Sequence, residues 1–294
     1  QAEDGIRDRS PSRGLGDVYK RQLEHFYRGK LFRDGQEISD FVITAHSRDL
    51  TAQQAADYFT AVDLGTSNDV GSLDRVSHGF GLHTRRDDVV ILSHLRQGPL
   101  LVRGHVVTDY HCLVVPRAVL AGLDDDPTSL FALFDRAKPP IFGPSVAVLE
   151  PLPWPSRAGS SMERLEVIFD QDPKGNVAAQ LLAALIQRPV SVSGFSPDPE
   201  RRLALAIALR LLLPPAARPV LTFATEVLNG ARCGARLKFL YADPYNKPGE
   251  GDGVFQANEE RLSPAPAPHP YANLLHQQWA GAVSYTHLRP HETD

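Results

Sequence analysis

From Leu23 to about Pro151, apolar and polar residues mostly alternate in short runs, the period of strands with two unlike faces. Asp34-Gly35 separates residues 30–33 from 37–45 and predicts a hairpin, because both residues tolerate the left-handed backbone of a tight turn. A helix is predicted over 52–61. Thr51 and Gln54 stand three apart at its start, where each can satisfy the other's free backbone N–H. The polar run 62–72 reads as a loop. Strands are expected at 78–84, 89–95 and 105–115, consecutive and antiparallel, with a turn at 85–88. Pro116 opens a short helix closed by Gly122. Asp126 caps a second at 127–137, with Pro127 in the first helical position, where an N–H is not needed.

Residues 150–161, with Pro151, Pro153, Trp154, Pro155 and Gly159, break every period and predict a linker at 151–161. Beyond it the chain alternates. Strands are expected at 165–169, 190–192, 220–225 and 237–241, and helices at 177–187 and from the cap Asp198 to Pro214-Pro215. In the latter helix Leu203, Leu205, Ile207, Leu209, Leu211 and Leu212 are interleaved with Ala204, Ala206 and Ala208. It is apolar nearly all round and so is expected to be buried on more than one side. Residues 246–270 are rich in Gly, Glu and Pro, and predict an extended linker before a truncated segment at 271–282. The expected fold class is α+β: a β-rich antiparallel module over 23–150, then a smaller α/β module over 162–245.

The two ends read differently from the rest. In codons, Gln1 to Asp8 spell CAA GCA GAA GAC GGC ATA CGA GAT, a flow-cell primer used in short-read sequencing. Ser12 to Gln22 likewise resemble a transposase adapter, and Val283 to Arg289 resemble its reverse complement, continued by His291-Glu292-Thr293. Residues 1–22 and 283–294 are therefore expected to be adapter-derived and disordered, and are set aside in reasoning about the fold. The sole methionine, Met162, agrees with a start codon upstream of Leu23. The expected object is a metagenomic fragment of a longer bacterial protein.

Removing the flanks leaves 25 Lys and Arg against 29 Asp and Glu, so the net charge stays at −4. A mildly acidic chain lacks the basic footprint that nucleic-acid binding needs. The longest apolar run, residues 203–213, contains Arg210 and is too short to span a bilayer, so no membrane partner is expected. Cys112 and Cys233 are the only cysteines, too few for a disulfide scaffold or a four-cysteine zinc site, which suits the cytoplasm. Cys112 is expected to be a buried thiol and Cys233 an exposed turn residue.

Candidate chemistry centres on His105-Val106-Val107-Thr108-Asp109-Tyr110-His111. On a strand His105, Asp109 and His111 share one face. Two imidazoles and a carboxylate can hold Zn²⁺ or Fe²⁺, or work as base and orienting group, and His83 or His94 on a neighbouring strand can complete the set. The alternative is a strand with a solvated or hydrogen-bonded polar face and an apolar face supplied by Val106, Cys112 and Val114. No dinucleotide-binding loop, no phosphate-binding Gly-Lys-Ser/Thr motif and no Gly-x-Ser-x-Gly elbow occurs, and residues 170–176 lack calcium-loop spacing. No organic cofactor is expected.

Two stretches resemble bacterial GTPase-associated adaptor proteins of conflict and signalling systems. One is His111-Cys112-Leu113-Val114-Val115-Pro116-Arg117 and the short helix after it. The other runs from Leu213-Pro214-Pro215 through Arg218 to Leu221-Thr222-Phe223-Ala224-Thr225. The resemblance implies a β-rich module followed by an α/β module, a protein partner of the GTPase kind, and no catalytic residues. Two functional expectations stand: a non-enzymatic cytoplasmic adaptor, and a metal-dependent hydrolase using His105, Asp109 and His111.

Overall fold

The computed structural model describes residues 22–34, 36–39, 41–62, 78–85, 88–102, 105–137, 143–153, 175–241 and 246–286, with the backbone alone at 37, 97–102, 105–108 and 279–286. The first half runs β1 (Gln22–Gly29), β2 (Phe32–Arg33), β3 (Gln36–Glu37), β4 (Val42–Ser47), α1 (Ala52–Phe59), β5 (His78–Thr84), β6 (Val89–Val102) and β7 (His105–Pro116). Three short helices follow, α2 (Arg117–Ala121), α3 (Thr128–Phe131) and α4 (Leu133–Arg136), then β8 (Ala147–Leu149) and β9 (Leu152–Pro153). The second half runs α5 (Asn176–Gln187), β10 (Val190–Ser193), α6 (Pro199–Leu212), β11 (Phe223–Val227), β12 (Leu237–Leu240), β13 (Gly253–Gln256), β14 (Arg261–Ser263) and α7 (Pro270–Thr286).

Local signals account for many of the boundaries. Thr51 and Gln54 form both bonds of the capping box on α1, and the Asp198 side chain accepts from the Glu200 N–H at the start of α6. Asp34 adopts a left-handed conformation between the paired strands β2 and β3, as the hairpin requires. The predicted helix at 127–137 divides into α3 and α4 around Ala132, and the strand expected from residue 220 begins at Phe223 after a 3-10 turn over Arg218–Val220.

The fold is α+β, built on a mixed twelve-stranded sheet in the order β14-β13-β10-β12-β11-β5-β6-β7-β1-β4-β8, with β9 added beside β1. The run from β5 through β6, β7 and β1 to β4 is antiparallel, whereas β13, β10, β12 and β11 are parallel. The two parts meet where β11 pairs antiparallel with β5, Phe223 opposite Leu82 and Ala224 opposite Gly81. One apolar cluster joins Leu82, Leu92 and Leu113 of the antiparallel part to Leu181, Leu209 and Phe239 of the parallel part. A second cluster on the other side gathers Phe26, Ile91, Cys112 and Ala224. The sheet is thus covered on both faces around β7, and the polar side chains described there, Asp109 and His111, are buried and hydrogen-bonded, not solvated.

Three expectations are corrected. Residues 246–270 do not run as an extended linker: β13 and β14 extend the sheet, and Phe255 and Leu262 are buried in the larger core cluster. Gln22 lies in β1 and residues 283–286 lie in α7, although both were assigned to the disordered flanks. Cys233 is buried, as Cys112 is. Residues 1–21 and 287–294, the strand expected at 165–169 and most of the linker at 151–161 lie outside the described residues. Among the described residues, no helix is long and apolar enough to cross a membrane.

Candidate functional site

Asp109 and His111 share a face of β7, as strand parity requires, and the same face continues into Leu113 and Val115 of the core. Register carries this face across the sheet. His111 stands opposite Tyr27 of β1 and His94 of β6, and His94 stands opposite Phe80 of β5. Two positions before Tyr27 lies His25, and two before Phe80 lies His78. Four imidazoles from four strands therefore form a row: His25, His111, His94, His78.

The row closes in pairs. His25 Nδ1 lies 3.0 Å from His111 Nε2, and His94 Nε2 lies 3.2 Å from His78 Nδ1. His111 stacks on Tyr27 with centroids 4.1 Å apart, and His94 stacks on Phe80 at 4.9 Å. Phe134 of α4 presses on both inner rings. At one end His25 Nε2 bonds the carbonyl of Glu150 at 2.9 Å, and at the other His78 Nε2 lies 3.4 Å from the Glu200 carboxylate. Only His78 is appreciably open to solvent.

The bonding pattern fixes the tautomers of the first pair. A carbonyl only accepts, so His25 Nε2 carries the hydrogen. In neutral His25 the other nitrogen is then an acceptor, and His111 must donate to it from Nε2. That leaves His111 Nδ1 as a bare lone pair, and among the described residues it is one of the buried atoms with no hydrogen-bond partner. Burial holds His111 well below the ordinary imidazole range, and the nearby His25, Arg96 and His94 push the same way. Burial also lowers His25, and it takes His94 down to about 3, helped by His78 and Arg96. His25, His94 and His111 are therefore neutral at physiological pH.

Asp109 is committed elsewhere. Its two oxygens accept from Arg96 Nε at 2.8 Å and from the second guanidinium nitrogen at 3.1 Å, and its side chain is fully buried. Burial raises the Asp109 carboxyl despite the pull of Arg96. Arg96 loses by burial but gains more from Asp109 and Tyr27, so it is held above its usual value.

Of the residues singled out as metal ligands or catalysts, Asp109 and His111 lie together on one face, but each already has another partner. The side chain of His105 lies outside the described residues. His83 is on the opposite face of β5, where its ring lies 3.3 Å from Ser93 Oγ and burial lowers it to about 4, so it cannot join the others. Gly81 leaves the room for that ring: a Cβ there would come within 2.4 Å of His83 Nε2. Among the described residues, no group of three or more His, Cys, Asp and Glu is placed to hold a metal ion. His25 escaped the sequence reading. The alternation Leu23, His25, Tyr27 puts it on the core face, but only the β1–β7 register brings it to His111.

Two other buried polar centres sit in the parallel part. Asp252 accepts at one oxygen from Ser191 at 2.6 Å, Lys238 at 2.8 Å and the Gly249 N–H at 3.0 Å, with Lys238 also bonding the Gly230 carbonyl. Arg202 binds Glu226 at 2.6 Å and the carbonyls of Ser196 and Thr225. Both centres tie loops to strand ends. Comparison of the chain with protein-family models and with curated proteins gives no match.

Proposed function

We propose that this chain is a non-enzymatic protein-interaction module, an adaptor of a bacterial signalling or conflict system. It acts in the cytoplasm on a protein partner of the GTPase kind. One observation carries the reading. The groups most suited to chemistry are used up on each other inside the sheet: Asp109 on Arg96, His111 on His25, and His94 on His78. A catalytic set needs at least one group left free to face substrate. The chain carries no phosphate-binding loop, so the nucleotide would belong to the partner. The adaptor identity itself rests on the resemblance of residues 111–117 and 213–225.

Metal content and partner selectivity test this reading together. Purified protein is expected to hold well under one equivalent of zinc or iron by elemental mass spectrometry. It is also expected to retain a GTPase, identified by mass spectrometry, whose capture differs between a GTP analogue and GDP. Stoichiometric metal that disappears in both His105→Ala and His111→Ala would overturn the proposal in favour of a metal-dependent hydrolase.

A further inference from the structure

We propose that the His25–His111 contact is an acid-sensitive latch, holding β1, and with it β4, against β7 at neutral pH and releasing them when protons are taken up. The inference is independent of the adaptor reading and rests on the direction of two hydrogen bonds. Glu150 O accepts from His25 Nε2, and His25 Nδ1 accepts from His111 Nε2. A proton on His25 Nδ1 destroys the acceptor that His111 uses and sets N–H against N–H. Moving the His111 hydrogen to Nδ1 relieves that clash, but places it on a buried atom with no hydrogen-bond partner among the described residues.

The surroundings offer a new cation little help. His111 is faced from β6 by His94 and Arg96, from β1 by Tyr27 and His25, and from α4 by the edge of Phe134. The one carboxylate on its own face of β7, Asp109, is bound to Arg96. His25 is bracketed by the Glu150 carbonyl and, at its backbone, by Ser47. Glu24, next along β1, faces the opposite side of the sheet. Opening the strands frees both imidazoles to take protons from water.

The direction follows from linkage. An imidazole that resists protonation when folded and accepts freely when released makes stability constant above about pH 6.5 and lower as pH falls through that value. Glu226 works the other way. Its carboxyl is raised to about 7 by burial, against the attraction of Arg202, so its contribution is complete at low pH and lost as pH rises. Asp109, also raised, has the same sign. Acid loosening therefore cannot come from either carboxylate.

Amide hydrogen exchange on the full chain reads the latch strand by strand. After correction for the intrinsic pH dependence of exchange, β1 and β4 are expected to lose more than tenfold in protection between pH 7.5 and 5.5, about tenfold of it from His111 alone. Strands β10 and β12 should lose much less. His25→Gln keeps a donor for Glu150 and an acceptor for His111 but does not titrate, and should cut the loss to about tenfold. Unchanged protection of β1 in the wild-type chain overturns the latch even if the variant fails to fold. An equal loss across every strand does so too, as does an undiminished loss in a folded His25→Gln protein.

Discussion

At the scale of single residues, Arg96 and Asp109 show how burial decides the worth of a pair. The carboxylate is fully enclosed, while the guanidinium keeps a fifth of its side-chain surface in water. Removing one partner from a buried pair costs about 3–5 kcal/mol, because the other is left charged and dry. The two deletions should therefore differ. Arg96→Met strands Asp109 with no route to solvent, and urea unfolding should show a loss near the upper end of that range. Asp109→Asn leaves an arginine able to turn outward, and should lose about 1–2 kcal/mol. The double variant Arg96→Met/Asp109→Leu should recover most of the larger loss, since matched apolar residues avoid the desolvation. Equal costs for the two single changes would contradict this account. Parity made the shared face of Asp109 and His111 legible from the sequence. Their real partners were not, because Arg96 and His25 come from other strands whose register no local pattern states.

At the scale of elements, the legible parts were those with a chemical boundary marker. Thr51 and Gln54 open α1 and Asp198 and Pro199 open α6, each by a local bonding need, while Pro116 and Gly122 flank α2. The stretch 246–270 was misread for the opposite reason. Its strands are four and three residues long, too short to show a period, and the prolines beside them dominate the composition. What orders them is long-range: β13 pairs with β10 in parallel, and Phe255 reaches the core. Phe255→Ala should accordingly destabilise the protein by about 3–5 kcal/mol in chemical denaturation, the usual effect of emptying a buried phenylalanine site. A change within about 0.5 kcal/mol would restore the linker reading, in which this side chain packs against nothing.

At the scale of the whole molecule, the junction between β5 and β11 decides whether the chain unfolds as one body or two. Direct strand pairing there is brief, Phe223 with Leu82 and Ala224 with Gly81. It is reinforced by the Phe80 N–H bonding Thr225 Oγ1 at 2.8 Å, and by Gly79, where an added Cβ would come within 2.8 Å of Glu226 Cβ. Arg210 adds a tie behind the sheet: from the last turn of α6 it reaches the carbonyls of Asp125, Arg218 and Leu221, and burial lowers it to about 10. The larger core cluster, moreover, draws side chains from both sides of the junction. Pulling the parts apart would expose that shared interior, so neither half has a complete core of its own. Calorimetry should show a single transition near neutral pH, with calorimetric and van't Hoff enthalpies equal within error. Gly79→Val, which forces β5 and β11 apart, should lower its midpoint by several degrees while leaving it single. Two resolved transitions in the wild-type chain would mean that the brief seam, not the shared core, sets the cooperative unit.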